Sequence, residues 1–363
     1  MVHAASEGMI RVPQLDGLRG IAILLVLSGH IFQHSTLGGA IPLSQLAAFG
    51  VLLFFVLSGY LITSILTSEH SSTGSIILTG FYRRRILRLL PALLFFLAII
   101  AALSYVGKLE HIRAIEFVAC ILYVRNFYGR AEVLAHLWSL SIEEQFYSAW
   151  PLLMKLVKNS RALVWTSGVA VFCVCVWRAV AIHLNLFDYG AGIYYTRTQF
   201  RIDSILIGCF LALFLANGGK TPKIIRSFPV SAIWLVVLTW TLIGESISRE
   251  LYLTGQMVGA AWILFRSLTA TRFFFLASAP LRFLGSISYS LYLWQQVFLE
   301  VKSPSWGPLQ SFPVNLAASF ACALASYFLI EKPFLRMKER HNSQGGQAQS
   351  LLNVACANGR SES

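Results

Sequence analysis

Charge is scarce in this sequence. Only 12% of its 363 residues are Asp, Glu, Lys or Arg, against 56% hydrophobic residues, and just 16 are acidic. That balance excludes a soluble globular protein of this length. Cysteine is sparse as well, and Cys120, Cys173, Cys175, Cys209, Cys322 and Cys356 fall mostly within apolar runs, where they act as small hydrophobes. Cys173 and Cys175 point to different helix faces, so neither a disulfide framework nor a metal cluster is indicated. His34 stands one turn beyond His30, the spacing of a metal pair, but no third ligand accompanies it and no metal is expected. The net charge of +13 is not gathered into one patch with interleaved aromatics, which argues against nucleic acid as a partner. We find no internal repeat and no sign of a second domain.

What the chain has instead is a succession of uncharged apolar stretches. They are Ala22–Phe32, Leu46–Leu66, Leu89–Val106, Ala162–Trp177, Ser204–Leu215, Pro229–Ile243, Leu251–Phe265, Phe283–Leu299 and Val314–Ile330. These predict an all-α polytopic membrane protein. Basic residues collect between the stretches: Arg83, Arg84, Arg85 and Arg88; Lys155, Lys158 and Arg161; Lys220, Lys223 and Arg226; Arg266, Arg272 and Arg282; Lys332, Arg336, Lys338 and Arg340. By the positive-inside rule these clusters mark cytoplasmic ends. Two clusters on one side require an even number of crossings between them, which Leu89–Val106 and a segment around Leu137–Met154 supply. Ala114–Tyr128 contains Glu116 and Arg125 and is read as a short re-entrant or partly inserted helix. The expectation is about ten transmembrane helices with both termini cytoplasmic. Residues 1–340 are expected to form one transmembrane domain, and 341–363 a polar, disordered cytoplasmic tail that would be too short for a fused hydrolase module. The first apolar run is expected to stay as an anchored helix rather than a cleaved signal.

Polar groups inside this frame are the functional suspects. Arg19 and His30 are eleven residues apart on the first helix, almost three turns, so they share one face about 16 Å apart. Arg19 can instead be a snorkelling flank, and His30 a core histidine bonded to a carbonyl. In Trp138-Ser139-Leu140-Ser141-Ile142-Glu143-Glu144-Gln145-Phe146-Tyr147, spacings of four align Ser139, Glu143 and Tyr147 on one face. Ser141 and Glu144 match a capping box, which leaves Glu143 to hold an imidazole in one tautomer. Arg85 and Arg88 share a face at the cytoplasmic surface, suited either to lipid headgroups or to the phosphates of a soluble ligand. Arg201-Ile202-Asp203 reads as a compensated ion pair, with Asp203 alternatively lining a polar cavity. Ser286, Ser288, Tyr289, Ser290 and Tyr292 carry hydroxyls through an apolar helix, to bond neighbouring backbone or, for Tyr289 and Tyr292, to face substrate. Phe187, Tyr189, Tyr194 and Tyr195 suit an interfacial belt or the face of a sugar.

Together these pieces resemble the acyltransferase 3 family of bacterial membrane acyltransferases. The resemblance runs from Leu15 to about Phe334. It rests on Arg19-x10-His30, Phe54-Phe55-Val56-Leu57-Ser58-Gly59-Tyr60, Arg83 through Pro91, Trp138 through Tyr147, Arg201-Ile202-Asp203-Ser204, Ser288 through Trp294, and Glu331-Lys332-Pro333-Phe334. It implies a multi-pass protein of the bacterial inner membrane that moves an acyl group, usually acetyl, from cytoplasmic acyl-coenzyme A to a hydroxyl of a carbohydrate or other acceptor. On that reading His30 is the general base oriented by Glu143. Arg19, Arg85 and Arg88 meet the phosphates of the donor, while Ser139, Tyr147, Asp203, Tyr289 and Tyr292 line the acceptor site. Acyl-coenzyme A enters as donor substrate, with no bound cofactor. Where the family commonly has Trp-His, this chain reads Trp294-Gln295-Gln296, so the role of an imidazole there cannot be carried over, though Gln295 can still hydrogen-bond a sugar hydroxyl. The competing function is a transporter or flippase of an acylated or lipid-linked sugar, which needs an interior polar path but no base.

Overall fold

The computed structural model describes residues 12–33, 36–37, 41–157, 159–188, 192–221, 225, 227–269, 275–301 and 304–337. The readings of His34, Tyr189 and the segment after His341, and the basic residues Lys158, Lys223, Arg226, Arg272, Lys338 and Arg340, lie outside these. The described residues are almost wholly helical: α1 (Pro13–Ile31), α2 (Gln45–Thr73), α3 (Leu78–Tyr105), α4 (Ala114–Ile121), α5 (Leu137–Leu156), α6 (Ser160–His183), α7 (Ile193–Thr196), α8 (Thr198–Ala216), α9 (Val230–Ile247), α10 (Arg249–Thr269), α11 (Ala279–Leu299) and α12 (Val314–Ser326). A π turn, Tyr327–Glu331, prolongs α12, and Thr36–Leu37 and Ile41–Pro42 form a two-residue antiparallel ladder between α1 and α2.

Among the described residues, seven helices are long and apolar enough to cross a membrane, those beginning at Pro13, Gln45, Leu78, Ser160, Ile193, Val230 and Val314. This is a multi-pass membrane protein. Three further helices of 20 to 21 residues, α5, α10 and α11, have the length of a bilayer core and bury serine, glutamine and tyrosine among the apolar ones. The apolar stretches legible in the sequence sit inside longer helices. The stretch from Leu89, for example, lies in a helix that starts at Leu78, so Arg85 and Arg88 stand on α3 itself.

Packing around α1 sets the geometry of everything that follows. A Cβ at Gly20 would fall 2.2 Å from the Leu281 carbonyl oxygen, and one at Gly285 would fall 1.9 Å from that of Asp16, so α1 and α11 touch backbone to backbone. On the opposite side a Cβ at Gly29 would meet the Ala47 nitrogen at 2.3 Å, which seats α2 against the end of α1 that carries His30. Gly20→Val is expected to push α11 away and cost about 1–3 kcal/mol. The thermal midpoint of the detergent-solubilised variant measures this, and an unchanged midpoint would show the contact to be dispensable.

Between α3 and α5 the eight residues of α4 are too few to cross, and the chain folds back on itself. The Glu116 carboxylate accepts the backbone N–H groups of Arg130 at 2.9 Å and Ala131 at 2.8 Å, while Arg125 Nη2 donates to the Ala131 carbonyl at 2.9 Å. Burial opposes ionisation of Glu116, but those two N–H groups, with Arg125 and Arg113, hold its carboxyl below the usual value. A depressed carboxyl contributes stability that is complete above its unfolded-state value and is lost as pH falls through the folded one. Protection of the Arg130 and Ala131 amides from hydrogen exchange should therefore fall on acidification, and Glu116→Gln should abolish that dependence. Wild-type protection that ignores acidification would contradict this account.

Candidate active site

Helix α11 is the polar spine of the bundle. Starting from one end, Ser288 Oγ accepts from Arg19 Nη2 at 3.4 Å, and Ser290 Oγ donates to Glu331 Oε2 at 2.7 Å. Tyr292 OH shares a 2.7 Å hydrogen bond with Ser139 Oγ and donates to the His136 carbonyl at 2.9 Å. Toward the other end Gln295 Oε1 accepts from Nδ1 of His30, and Gln296 Nε2 reaches the Glu132 carbonyl and Glu300 Oε2, each at 3.2 Å. Ser288, Tyr289, Ser290, Gln295 and Gln296 are all buried. The close backbone approach at Gly20 and Gly285 is what brings the Arg19 and His30 side chains onto this one helix.

Arg19 and His30 therefore both face protein, as helical spacing requires. The partner of His30 differs from expectation. An acceptor oxygen at Nδ1 leaves Nε2 as the nitrogen with a free lone pair, and Nε2 lies 3.6 Å from Glu300 Oε1. Glu143, expected to orient the imidazole, accepts instead from Ser58 Oγ at 2.7 Å and lies within electrostatic reach of Arg19 and Arg85. Orientation of His30 thus falls to Gln295 and Glu300. Gln295, in place of the family's usual histidine, presents its oxygen to His30 and keeps an unpartnered, buried Nε2.

The arginines also divide. Arg85 donates from Nε and Nη2 to Glu144 Oε1, at 3.1 and 2.6 Å, and its guanidinium lies 3.5 Å from the ring centre of Tyr147. That pairing overturns the capping box, since α5 begins at Leu137 and the Ser141 hydroxyl donates back to the Leu137 carbonyl at 3.0 Å. It also gives Arg85 a carboxylate partner within the protein and places Tyr147 beneath that cation. Arg88 makes no ion pair among the described residues and stands within electrostatic reach of Arg19 and Glu331. The π turn that prolongs α12 carries Glu331 inward to this group.

Asp203 is fully buried and paired with Arg178 Nη1 at 2.8 Å, not with Arg201. Its second oxygen accepts the Ser204 N–H at 2.9 Å, so both carboxylate oxygens have partners within the protein. Tyr289 donates its hydroxyl to the Leu89 carbonyl at 2.9 Å, the backbone bond that was one of its two expected roles. Four residues were missed in the sequence: Ser58, Arg178, Glu300 and His136. His136 is buried between Phe96 and Tyr292, with ring centres 5.8 and 5.3 Å away, and within electrostatic reach of His30. Arg178 had a signal. It is a lone arginine just past an apolar run, at the end away from the basic clusters.

In this multi-pass bundle a half-buried arginine and a half-buried histidine of one helix meet a single partner helix. Residues 12–332 match the acyltransferase 3 model, an acyltransferase domain, and the chain belongs to that family. It is 30% identical over 353 residues to the O-acetyltransferase OatA of Staphylococcus aureus strain NCTC 8325, covering 89% of this chain and 57% of that protein. It is also 30% identical over 359 residues to the putative peptidoglycan O-acetyltransferase YrhL of Bacillus subtilis strain 168, covering 89% and 54%. The chain thus spans just over half the length of these relatives. No solved structure matches it.

Proposed function

We propose that the protein is an integral membrane O-acyltransferase that moves an acetyl group from acyl-coenzyme A on the cytoplasmic side to a hydroxyl of a carbohydrate acceptor on the outer side. In this reading the ten long helices cross a bacterial inner membrane, both termini are cytoplasmic, and His30 lies toward the outer face. The observation that carries it is that Arg19 and His30, three turns apart on α1, both contact α11, at Ser288 and Gln295. Two polar depths joined along one buried helix suit a donor whose phosphates stay inside while its thioester reaches toward the acceptor.

His30 Nε2 takes the proton of the acceptor hydroxyl as its oxygen attacks the thioester carbonyl carbon. The C–S bond breaks, and the departing thiolate recovers the proton from the imidazolium. Glu300, 3.6 Å from Nε2, stabilises the imidazolium meanwhile. Arg88 and Arg19 meet the phosphates of the donor, with Arg85 fixed beside them by Glu144. Glu143, Ser58, Ser139 and Tyr292 line the passage between. The name of the Bacillus relative supports a glycan acceptor.

The test supplies purified protein in a neutral detergent with labelled acetyl-coenzyme A and a hydroxylated glycan. Acceptor-dependent release of free coenzyme A, with label on the glycan, is the expected outcome. Passage of intact glycan across vesicles without that release would replace the reading with transport.

A further inference from the structure

A charge buried inside a membrane bundle needs a partner, because desolvation there costs several kcal/mol per ion. At the end of the bundle that carries His30, Arg178 and Arg201 are both fully buried, and one carboxylate, Asp203, lies with them. Asp203 is taken by Arg178, whose other N–H groups reach the Phe200 carbonyl at 2.6 Å and Thr254 Oγ1 at 2.8 Å. Arg201 is 1% exposed, yet its Nε and Nη1 meet no acceptor, and its guanidinium lies 5.8 Å from the ring centre of Phe55. Among the described residues, Arg201 thus makes no ion pair.

The surroundings are polar and tied together. Tyr195 and Tyr252 lie within electrostatic reach of Arg201. Tyr195 donates to Glu245 Oε1 at 2.8 Å, and Gln45 Nε2 donates to the other oxygen of Glu245 at 3.0 Å. Tyr252 donates to the Thr241 carbonyl at 2.9 Å and accepts from Gln256 Nε2 at 3.1 Å. Gln45 Oε1, Thr241 Oγ1 and Gln256 Oε1 are buried without partners, as the lining of a site awaiting donor groups would be. Phe55 links this polar group to the site already described, because its ring packs edge-on against Trp138, the neighbour of Ser139, at 5.9 Å.

We propose that Arg201 anchors an anion subsite for the acyl acceptor. Its free N–H groups take a carboxylate or phosphate carried by the carbohydrate, and the unpartnered oxygens of Gln45, Thr241 and Gln256 receive hydroxyls of the same sugar. A guanidinium suits this because its planar fork matches either anion through two N–H donors. The subsite rests on the acyl-transfer reading for its purpose, but its binding does not require the donor.

The experiment measures the thermal midpoint of the full chain in a neutral detergent with glucose, glucuronate or glucose 6-phosphate. Wild type should be stabilised by one or both anionic sugars and little by glucose, and which anion acts more strongly separates carboxylate from phosphate. In Arg201→Met that preference should vanish, with half-saturation weakened about tenfold or more, whereas His30→Ala should keep it. Because Arg201 makes no ion pair among the described residues, Arg201→Met without sugar should unfold at or above the wild-type temperature. A lower midpoint there, an equal wild-type response to the three sugars, or an undiminished preference in Arg201→Met would each overturn the subsite. Preference for the anion in a protein that releases no coenzyme A would instead count against the acyl-transfer reading alone.

Discussion

Replacing His30 by alanine should lower acceptor-dependent coenzyme A release by about 10²–10⁴-fold, the usual contribution of a positioned general base. The geometry makes this expectation specific to one nitrogen. Gln295 Oε1 occupies Nδ1, so the lone pair available to an acceptor hydroxyl is on Nε2, beside Glu300. His30→Asn keeps a polar group for Gln295 but supplies no base, and it should be as inactive as the alanine variant while folding normally. Glu300→Gln should lower the rate by a smaller factor, since it removes the partner of the imidazolium but leaves the base in place. The assay is initial-rate release of coenzyme A with each variant matched for elution volume and thermal midpoint. A well-folded His30→Asn protein that retains near wild-type turnover would end the general-base account.

The second large effect is on stability. Arg178→Met should destabilise the bundle by about 3–5 kcal/mol, because it leaves the Asp203 carboxylate buried without its counter-ion. Both side chains are completely inaccessible, so neither water nor lipid headgroups can replace the lost partner. Adding Asp203→Asn to Arg178→Met should recover much of the loss, since the pair is then removed together and no naked charge remains. Thermal or denaturant midpoints of the single and double variants form the cycle. Equal destabilisation by Arg178→Met with and without Asp203→Asn would mean that the arginine acts through packing and its bonds to Phe200 and Thr254, and not through the carboxylate.

Much of the frame was legible from hydropathy. The apolar stretches sit within the long helices, and Ala114–Tyr128, with Glu116 and Arg125 inside it, contains an eight-residue helix and a hydrogen-bonded return. Pairing was far less legible. Arg201 and Asp203 look like partners on the page, but residues two apart on a helix diverge by about 200° and cannot meet. Asp203 instead turns to α6 and finds Arg178. Ser141 and Glu144 have capping-box spacing, but α5 starts four residues earlier, at Leu137. Ser141 is therefore interior, and Glu144 is free to reach Arg85 on α3. Gln295 stands where the family commonly has histidine, and nothing in its neighbours along the chain points to His30, 265 residues away.

Composition, helical period and the spacing of basic clusters were enough to define a many-helix membrane protein and to put Arg19 and His30 on one face of its first span. These are local properties, fixed by 3.6 residues per turn and by the cost of exposing charge to hydrocarbon. Which helix meets that face was decided only in three dimensions, by glycines that let α1 and α11 approach to backbone contact. From that approach came the partners of His30, and separate helix contacts gave Glu144 to Arg85 and Asp203 to Arg178, leaving Arg201 without an ion pair among the described residues. Such pairings depend on how whole helices are rotated and stacked against each other, and a one-dimensional pattern carries no record of it.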